Sequence, residues 1–246
     1  MILGLLYYIL FGVAVALGLW YLWGWISGTD RQNKTWIALH KKGEINKAVV
    51  KAYRKYPDKE RFLMFWLQLQ RLKKELPDEG VMAELGVYQA ETAVVLQAIA
   101  PERALWLFDT FEGFRNDDLK EEFGNAKNYD ATSFADTSVA LIMEKLNHAG
   151  NVNIFKGNFA DISSQIPEQK YALVSIDADL AAPTIAGLQY FWPRLLPGGV
   201  IVVHDFNPEW PALMQAVEQF LTTITETPVL IPDRDNSLVI VKNKTN

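Results

Sequence analysis

Apolar positions fall into three regimes along the chain. Residues 1–27 carry no charged side chain and form one unbroken apolar run. Downstream, Phe62, Phe65, Trp66, Leu69, Leu72 and Leu76 recur at i, i+3, i+4 and i+7, which predicts a helix over about 58–75 with one buried stripe and Asp58 as its cap. Core packing, a dimer face and a membrane-surface face all suit such a stripe. Pro77-Asp78-Glu79-Gly80 breaks the helix, and from Val81 the pattern changes. Short continuous apolar runs at 81–84, 104–108, 152–155, 171–176 and 200–203 alternate with helix-periodic segments at 92–100, 139–148, 184–196 and 211–223. Thr137 or Ser138 is placed to cap the second of these, and Pro197-Gly198-Gly199 reads as a turn after the third. Such alternation predicts a parallel sheet covered by helices on both faces. Two last runs, 229–231 and 238–241, are joined by Pro232-Asp233-Arg234-Asp235-Asn236 and are close enough to pair only as an antiparallel hairpin.

Charge sharpens this division. As a helix, residues 2–26 would be roughly 37 Å long against a hydrocarbon core of about 30 Å. Trp20, Tyr21, Trp23 and Trp25 cluster at its end, as in an interfacial aromatic belt. Residues 31–55 then hold eight Lys/Arg against one acid, whereas residues 56–246 hold 16 Lys/Arg against 27 acids. By the positive-inside rule this describes a single-pass anchor with the body on the cytoplasmic side. A cleaved signal peptide is the rival, but no Lys or Arg precedes the run, which is too long for a signal core. The basic segment either orients the anchor or also touches anionic lipid. The expected organisation is an anchor at 1–27, a basic juxtamembrane helical segment at 28–57 and an α/β domain with its leading helix at 58–246. An acidic body is a poor nucleic-acid binder, and a chain without cysteine has neither disulfides nor thiolate metal sites.

Acids recur at the carboxyl ends of the predicted strands: Glu84, Asp109, Asp177 and Asp205. One such residue often only caps the next helix. Together they mark the edge where open α/β sheets bind ligands, and an acid ending the second strand suits a ribose diol. The first turn, Glu84-Leu85-Gly86-Val87-Tyr88, has one glycine where a pyrophosphate-binding turn wants three, and Glu84 would repel a diphosphate. A nicotinamide cofactor is therefore disfavoured. The long connection 110–136, charged and aromatic, has the length of a lid or substrate loop.

Glu84-Leu85-Gly86-Val87-Tyr88, Asp109-Thr110-Phe111-Glu112-Gly113-Phe114, Gly157-Asn158-Phe159, Ile176-Asp177-Ala178-Asp179-Leu180, Pro197-Gly198-Gly199 and His204-Asp205 together resemble the motifs of the macrocin-type sugar O-methyltransferases, over roughly residues 56–242. That resemblance implies a Rossmann-like class I methyltransferase fold, a seven-stranded mostly parallel sheet in the order 3-2-1-4-5-7-6. It also implies S-adenosylmethionine and Mg²⁺ as cofactors, with Mn²⁺ as an alternative. Glu84, Gly86 and Tyr88 would border the methionine part, Asp109 would hold the ribose, and Gly157, Asn158 and Asp161 would lie near the adenine. Asp177, His204 and Asp205 would be metal ligands, and Asp177 or His204 the base. Three positions depart from the pattern: His204 where an acid is usual, Ala90 where glycine is common, and Ala181 where tyrosine is common. Ala90 is expected to narrow the cofactor approach and Ala181 to alter the substrate side. The implied activity is metal-assisted methylation of a sugar hydroxyl, on a small or lipid-linked acceptor, by a membrane-held enzyme that could form homo-oligomers. A non-catalytic scaffold of the same fold is the competing reading.

Overall fold

A computed structural model describes residues 2–27 and 33–244 and divides into two compact units, residues 1–46 and 47–246. Residues 28–32 of the expected basic segment, with Asp30 and Arg31, lie outside the described residues.

In the first unit, α1 (Ile2–Ser27) is a single 26-residue helix. Its Gly4–Gly24 portion, of mean hydropathy 2.0, is long and apolar enough to cross a membrane by length and composition. A short helix, α2 (Lys34–Lys41), follows, capped by the Asn33 side chain, which accepts from the backbone of Thr35 and Trp36 at 2.9 and 3.3 Å.

The second unit opens with α3 (Lys47–Lys55), whose apolar face buries Val49, Ala52 and Tyr53 while Lys47, Lys51, Arg54 and Lys55 face outward. In α4 (Lys59–Glu75) the Asp58 cap accepts from the Arg61 backbone at 2.8 Å, and Phe62, Phe65, Trp66, Leu69 and Leu72 are buried. The apolar stripe is thus core. Strand β1 (Val81–Leu85) leads to α5 (Glu91–Ile99), and β2 (Leu105–Asp109) leads to the long connection, which contains α6 (Asn116–Leu119) and a 3-10 turn at Gly124–Asn128. Then come α7 (Val139–Lys145), capped by Ser138, β3 (Val152–Lys156), α8 (Phe159–Ile162), β4 (Tyr171–Ile176), α9 (Ala181–Arg194), β5 (Leu195–Val203), α10 (Pro211–Leu221), β6 (Val229–Ile231) and β7 (Ser237–Val241).

The seven strands order as β3-β2-β1-β4-β5-β7-β6, with β7 antiparallel to both neighbours. This matches the sequence expectation, with two shifts of boundary. Pro197-Gly198-Gly199 is a bulge within β5 rather than a turn before it: Tyr171 pairs with Leu195 and Leu173 with Val200. Helix α7 stops early because Asn147 and His148 adopt left-handed backbone, with φ of 52° and 51°. One sheet face packs on α9 and α10 through Phe108, Val174, Ile201, Leu188, Phe191 and Val217. Its opposite face meets α4 and α5. Burying each such side chain contributes roughly 1.5–3 kcal/mol. The rigid sheet fixes where its carboxyl ends, and hence the acids, are held.

Candidate functional site

Topology places the ends of β1, β2, β3 and β4 around a cleft open to solvent. Gly86 forms its floor at φ +84°, and a Cβ there would sit 1.9 Å from the Asp177 carbonyl oxygen. The Asp177 amide in turn donates to the Leu85 carbonyl at 2.8 Å, so the β1 turn and the end of β4 are locked backbone to backbone. Only glycine permits that approach.

On the β1–β2 side, Asp109 holds the turns together. Its Oδ2 accepts from the backbone N–H of Val87 and Tyr88 at 2.7 and 2.9 Å, and its Oδ1 from Phe111 at 2.7 Å. Oδ2 is filled by its two N–H bonds, and Oδ1 keeps one lone pair beside the cleft that Asp109 lines. Glu84 is 2% exposed, and its Oε2 has no hydrogen-bond partner. Burial, then the nearby Asp177 and Asp109, push its carboxyl well above the usual range. Tyr88 lines the cleft at φ 45°, with its hydroxyl donating to Asp136 at 3.1 Å and its ring edge-on to Phe134. Gly157 and Asn158 also line it; Asn158 caps α8 and donates to Asp118 at 2.7 Å. Asp161 does not reach the cleft and instead pairs with Arg115, a lining residue, at 2.7 Å. Ala90 sits at φ 62°, fully buried, and leaves the lining unobstructed. Its cost is left-handed backbone, about 1 kcal/mol for a residue with a Cβ.

On the β4–β5 side, Asp177 and Asp179 line the cleft. Asp179 is pushed well upward, first by burial and then by Asp177, with the Tyr129 hydroxyl as hydrogen-bond partner. Asp205, at φ 57°, is buried behind them, and burial with the neighbouring Asp177 and Asp179 pushes it up to about 9. His204 is placed otherwise than expected. Its ring is 1% exposed, lies beside Phe65, and has Ser175 Oγ at 2.8 Å from Nε2 and Ser237 Oγ at 3.1 Å from Nδ1. Because Ser237 donates to Asp233 at 2.5 Å, Nδ1 is the donor and Nε2 accepts from Ser175. Burial and then the Arg61 charge push the ring well below the ordinary imidazole pKa. Both nitrogens are engaged in the core, so His204 is in no position to act as a ligand or a base. Among the described residues no group of three or more His, Asp and Glu side chains assembles as a cation site. The residues present do not fit the divalent ion that the motifs implied.

Arg61 lies among these acids instead. Buried on α4, it donates from Nε to Asp233 and from Nη2 to Asp235, both at 3.0 Å, with Nη1 4.0 Å from Asp177 and Nε 3.9 Å from Asp58. Sequence reasoning passed over Arg61, Asp233, Asp235, Asp179 and Tyr129. The available signal was Arg61 on the same stripe as Phe65 and Leu69, where a charge is costly unless paired. The connection 110–136 reaches this side: Glu122 accepts from the Ala181 backbone N–H at 2.7 Å. Phe114, Tyr129 and Phe134 pack together above it.

The cleft suits S-adenosylmethionine in that an acid ending β2, Asp109, lines it beside the Gly86 turn, as a ribose requires; Glu84, with Oε2 unpartnered, is buried next to that turn and is not among the lining residues. Strand order and site together define a class I methyltransferase fold. Similar solved structures carry the same fold: the O-methyltransferase NovP superposes with TM-score 0.65 at 20% identity over 76% of this chain and 81% of that one. The calicheamicin methyltransferase CalS11 gives 0.61 at 23% over 74% and 78%. Residues 68–231 match the family described as Macrocin-O-methyltransferase (TylF), and the chain belongs to that family. It is 25% identical over 154 residues to mycinamicin III 3''-O-methyltransferase of Micromonospora griseorubida, spanning 57% of this chain and 60% of that protein. With a tetracenomycin-pathway 4'-O-methyltransferase of Streptomyces olivaceus it shares 22% over 138 residues, 52% and 53% of the two lengths. The chain thus spans little more than half the length of these curated relatives.

Proposed function

We propose that the protein transfers a methyl group from S-adenosylmethionine to a hydroxyl of a sugar-containing acceptor. The observation that carries this reading is Glu84 Oε2, buried and unpartnered beside Gly86, which suits the ammonium of an amino-acid cofactor. Family membership and the sugar O-methyltransferases among the relatives support the acceptor class. When bound, the cofactor would supply a sulfonium methyl open to attack by an acceptor oxygen, the thioether leaving with the C–S electron pair. The chain's part is positioning and proton removal. Asp179 faces the cleft, and its ionised carboxylate is the group placed to take the acceptor proton, its basicity strengthened by burial and Asp177. Asp109 fixes the cofactor turn, and the 110–136 lid, tied to α9 through Glu122, excludes water. A metal-assisted version of this chemistry would first have to free His204 from Ser175 and Ser237.

Helix α1 serves in this reading as a single-pass anchor with the body on the cytoplasmic side. Its length and hydropathy, and the outward basic face of α3, support it. Anchoring concentrates the site near membrane-held acceptors, so a lipid-linked sugar is the proposed substrate class. The test is a transfer screen with labelled S-adenosylmethionine against nucleotide sugars and lipid-linked sugars, alongside calorimetry of cofactor binding. Methylation of either acceptor class supports the reading. Failure to bind the cofactor overturns it in favour of a scaffold.

A further inference from the structure

We infer that the Arg61 guanidinium occupies the position of a divalent cation in this site, making the protein's acid cluster independent of metal. Besides Asp58 of its own helix cap at 3.9 Å, three carboxylates converge on the guanidinium: Asp233 and Asp235 at 3.0 Å, and Asp177 at 4.0 Å. They come from β4 and from the β6–β7 turn, which the hairpin folds back onto the N-terminus of α4. Arg61 is 7% exposed, and each of its three guanidinium nitrogens faces a different carboxylate. A fork of this kind pairs carboxylates directionally and cannot be deprotonated in a protein.

Beneath it the remaining donors are already committed. Asp233 accepts from the Ser237 backbone at 2.7 Å and from the Ser237 hydroxyl, which in turn accepts from His204. The result is one continuous chain, Ser175–His204–Ser237–Asp233–Arg61, ending against Asp177. A divalent ion entering here would meet a fixed positive charge in a poorly solvated setting, where like charges repel strongly. Arg61, Asp233 and Asp235 lie outside residues 68–231, whereas Asp177 lies within the family-matched segment.

The chemical consequence is specific. A guanidinium has no vacant coordination position and cannot bind an acceptor oxygen as a Lewis acid does. Arg61 is thus a positioning residue: it orients Asp177 and pairs with Asp233 and Asp235, leaving proton removal to a carboxylate. The inference deepens the methyl-transfer reading but can be tested apart from it.

The test is Mn²⁺ binding to the full chain in detergent, followed by electron paramagnetic resonance, with cofactor binding measured in parallel. Wild type is expected to leave Mn²⁺ free at about 1 mM, and Arg61→Met, which uncovers the three carboxylates, to bind at least about tenfold tighter. Arg61→Lys, retaining a cation, should behave as wild type. Tight Mn²⁺ binding by wild type overturns the inference, as does a folded Arg61→Met that binds no better than wild type. Should Arg61→Met not fold, the wild-type titration decides alone. Loss of cofactor binding with Mn²⁺ behaviour as expected would count against methyl transfer only.

Discussion

The two halves of the cleft meet the same electrostatic problem in opposite ways. At the ends of β1 and β2, Asp109 is satisfied by three backbone N–H groups within about 20 residues of itself. At the ends of β4 and β5, Asp177 meets a guanidinium from a helix more than 100 residues earlier and two acids from a turn more than 50 residues later. Local backbone satisfaction holds a ligand-binding turn rigid. Long-range charge pairing gathers acids that would otherwise repel one another.

The largest contrast should come from the two pivotal acids. Asp109→Ala strands buried amides, each costing about 1–3 kcal/mol, and should lower cofactor affinity about thirtyfold or more by calorimetry. Asp177→Ala should abolish turnover while changing cofactor affinity no more than about threefold. Equal effects of the two on binding would erase the distinction between the halves. Glu84→Gln comes next. The fold already favours the neutral carboxyl, so urea unfolding should show little loss of stability, while cofactor affinity falls about tenfold as the ammonium loses its charged partner. A large loss of stability would mean that Glu84 is ionised and structurally paired.

Asp205→Asn acts on stability rather than on binding, and its effect appears as a pH dependence. Its folded pKa, about 9, lies above the unfolded value near 3.9. The native state therefore favours the protonated form, and that contribution is complete below about pH 4 and lost as pH rises toward 9. Asparagine does not ionise, so the melting temperature of the variant relative to wild type should climb from pH 4 to 9 and then level. A flat difference would show that Arg61 already compensates Asp205.

The same asymmetry decides what could be read in the sequence. Strand runs, their order and the motifs around Glu84, Gly86 and Asp109 were legible because strand, turn and acid are consecutive. Even there, Pro197-Gly198-Gly199 misled, since a bulge and a turn use the same residues. Asp161 was placed at the adenine by its motif, yet it faces Arg115. His204 was read as a strand-end ligand because its position in the chain matched. It directly follows β5, its N–H donating to the Ile176 carbonyl at 2.9 Å, so strand alternation carries through it and sends its ring to the α4 face beside Phe65. Only at Asp205, with positive φ, does the chain leave that alternation. Arg61, Asp233 and Asp235 were illegible for another reason: an amphipathic helix and a turn each explained themselves locally, and only the fold brings them together.

One practical consequence follows from the Asp58-capped first turn of α4. A soluble fragment trimmed to begin at residue 68 would keep the whole sheet and every motif, yet would lack Arg61. The acids at 177, 233 and 235 would face one another uncompensated, and the proposal for Arg61 predicts that such a fragment takes up cations from its buffer more readily than the intact chain.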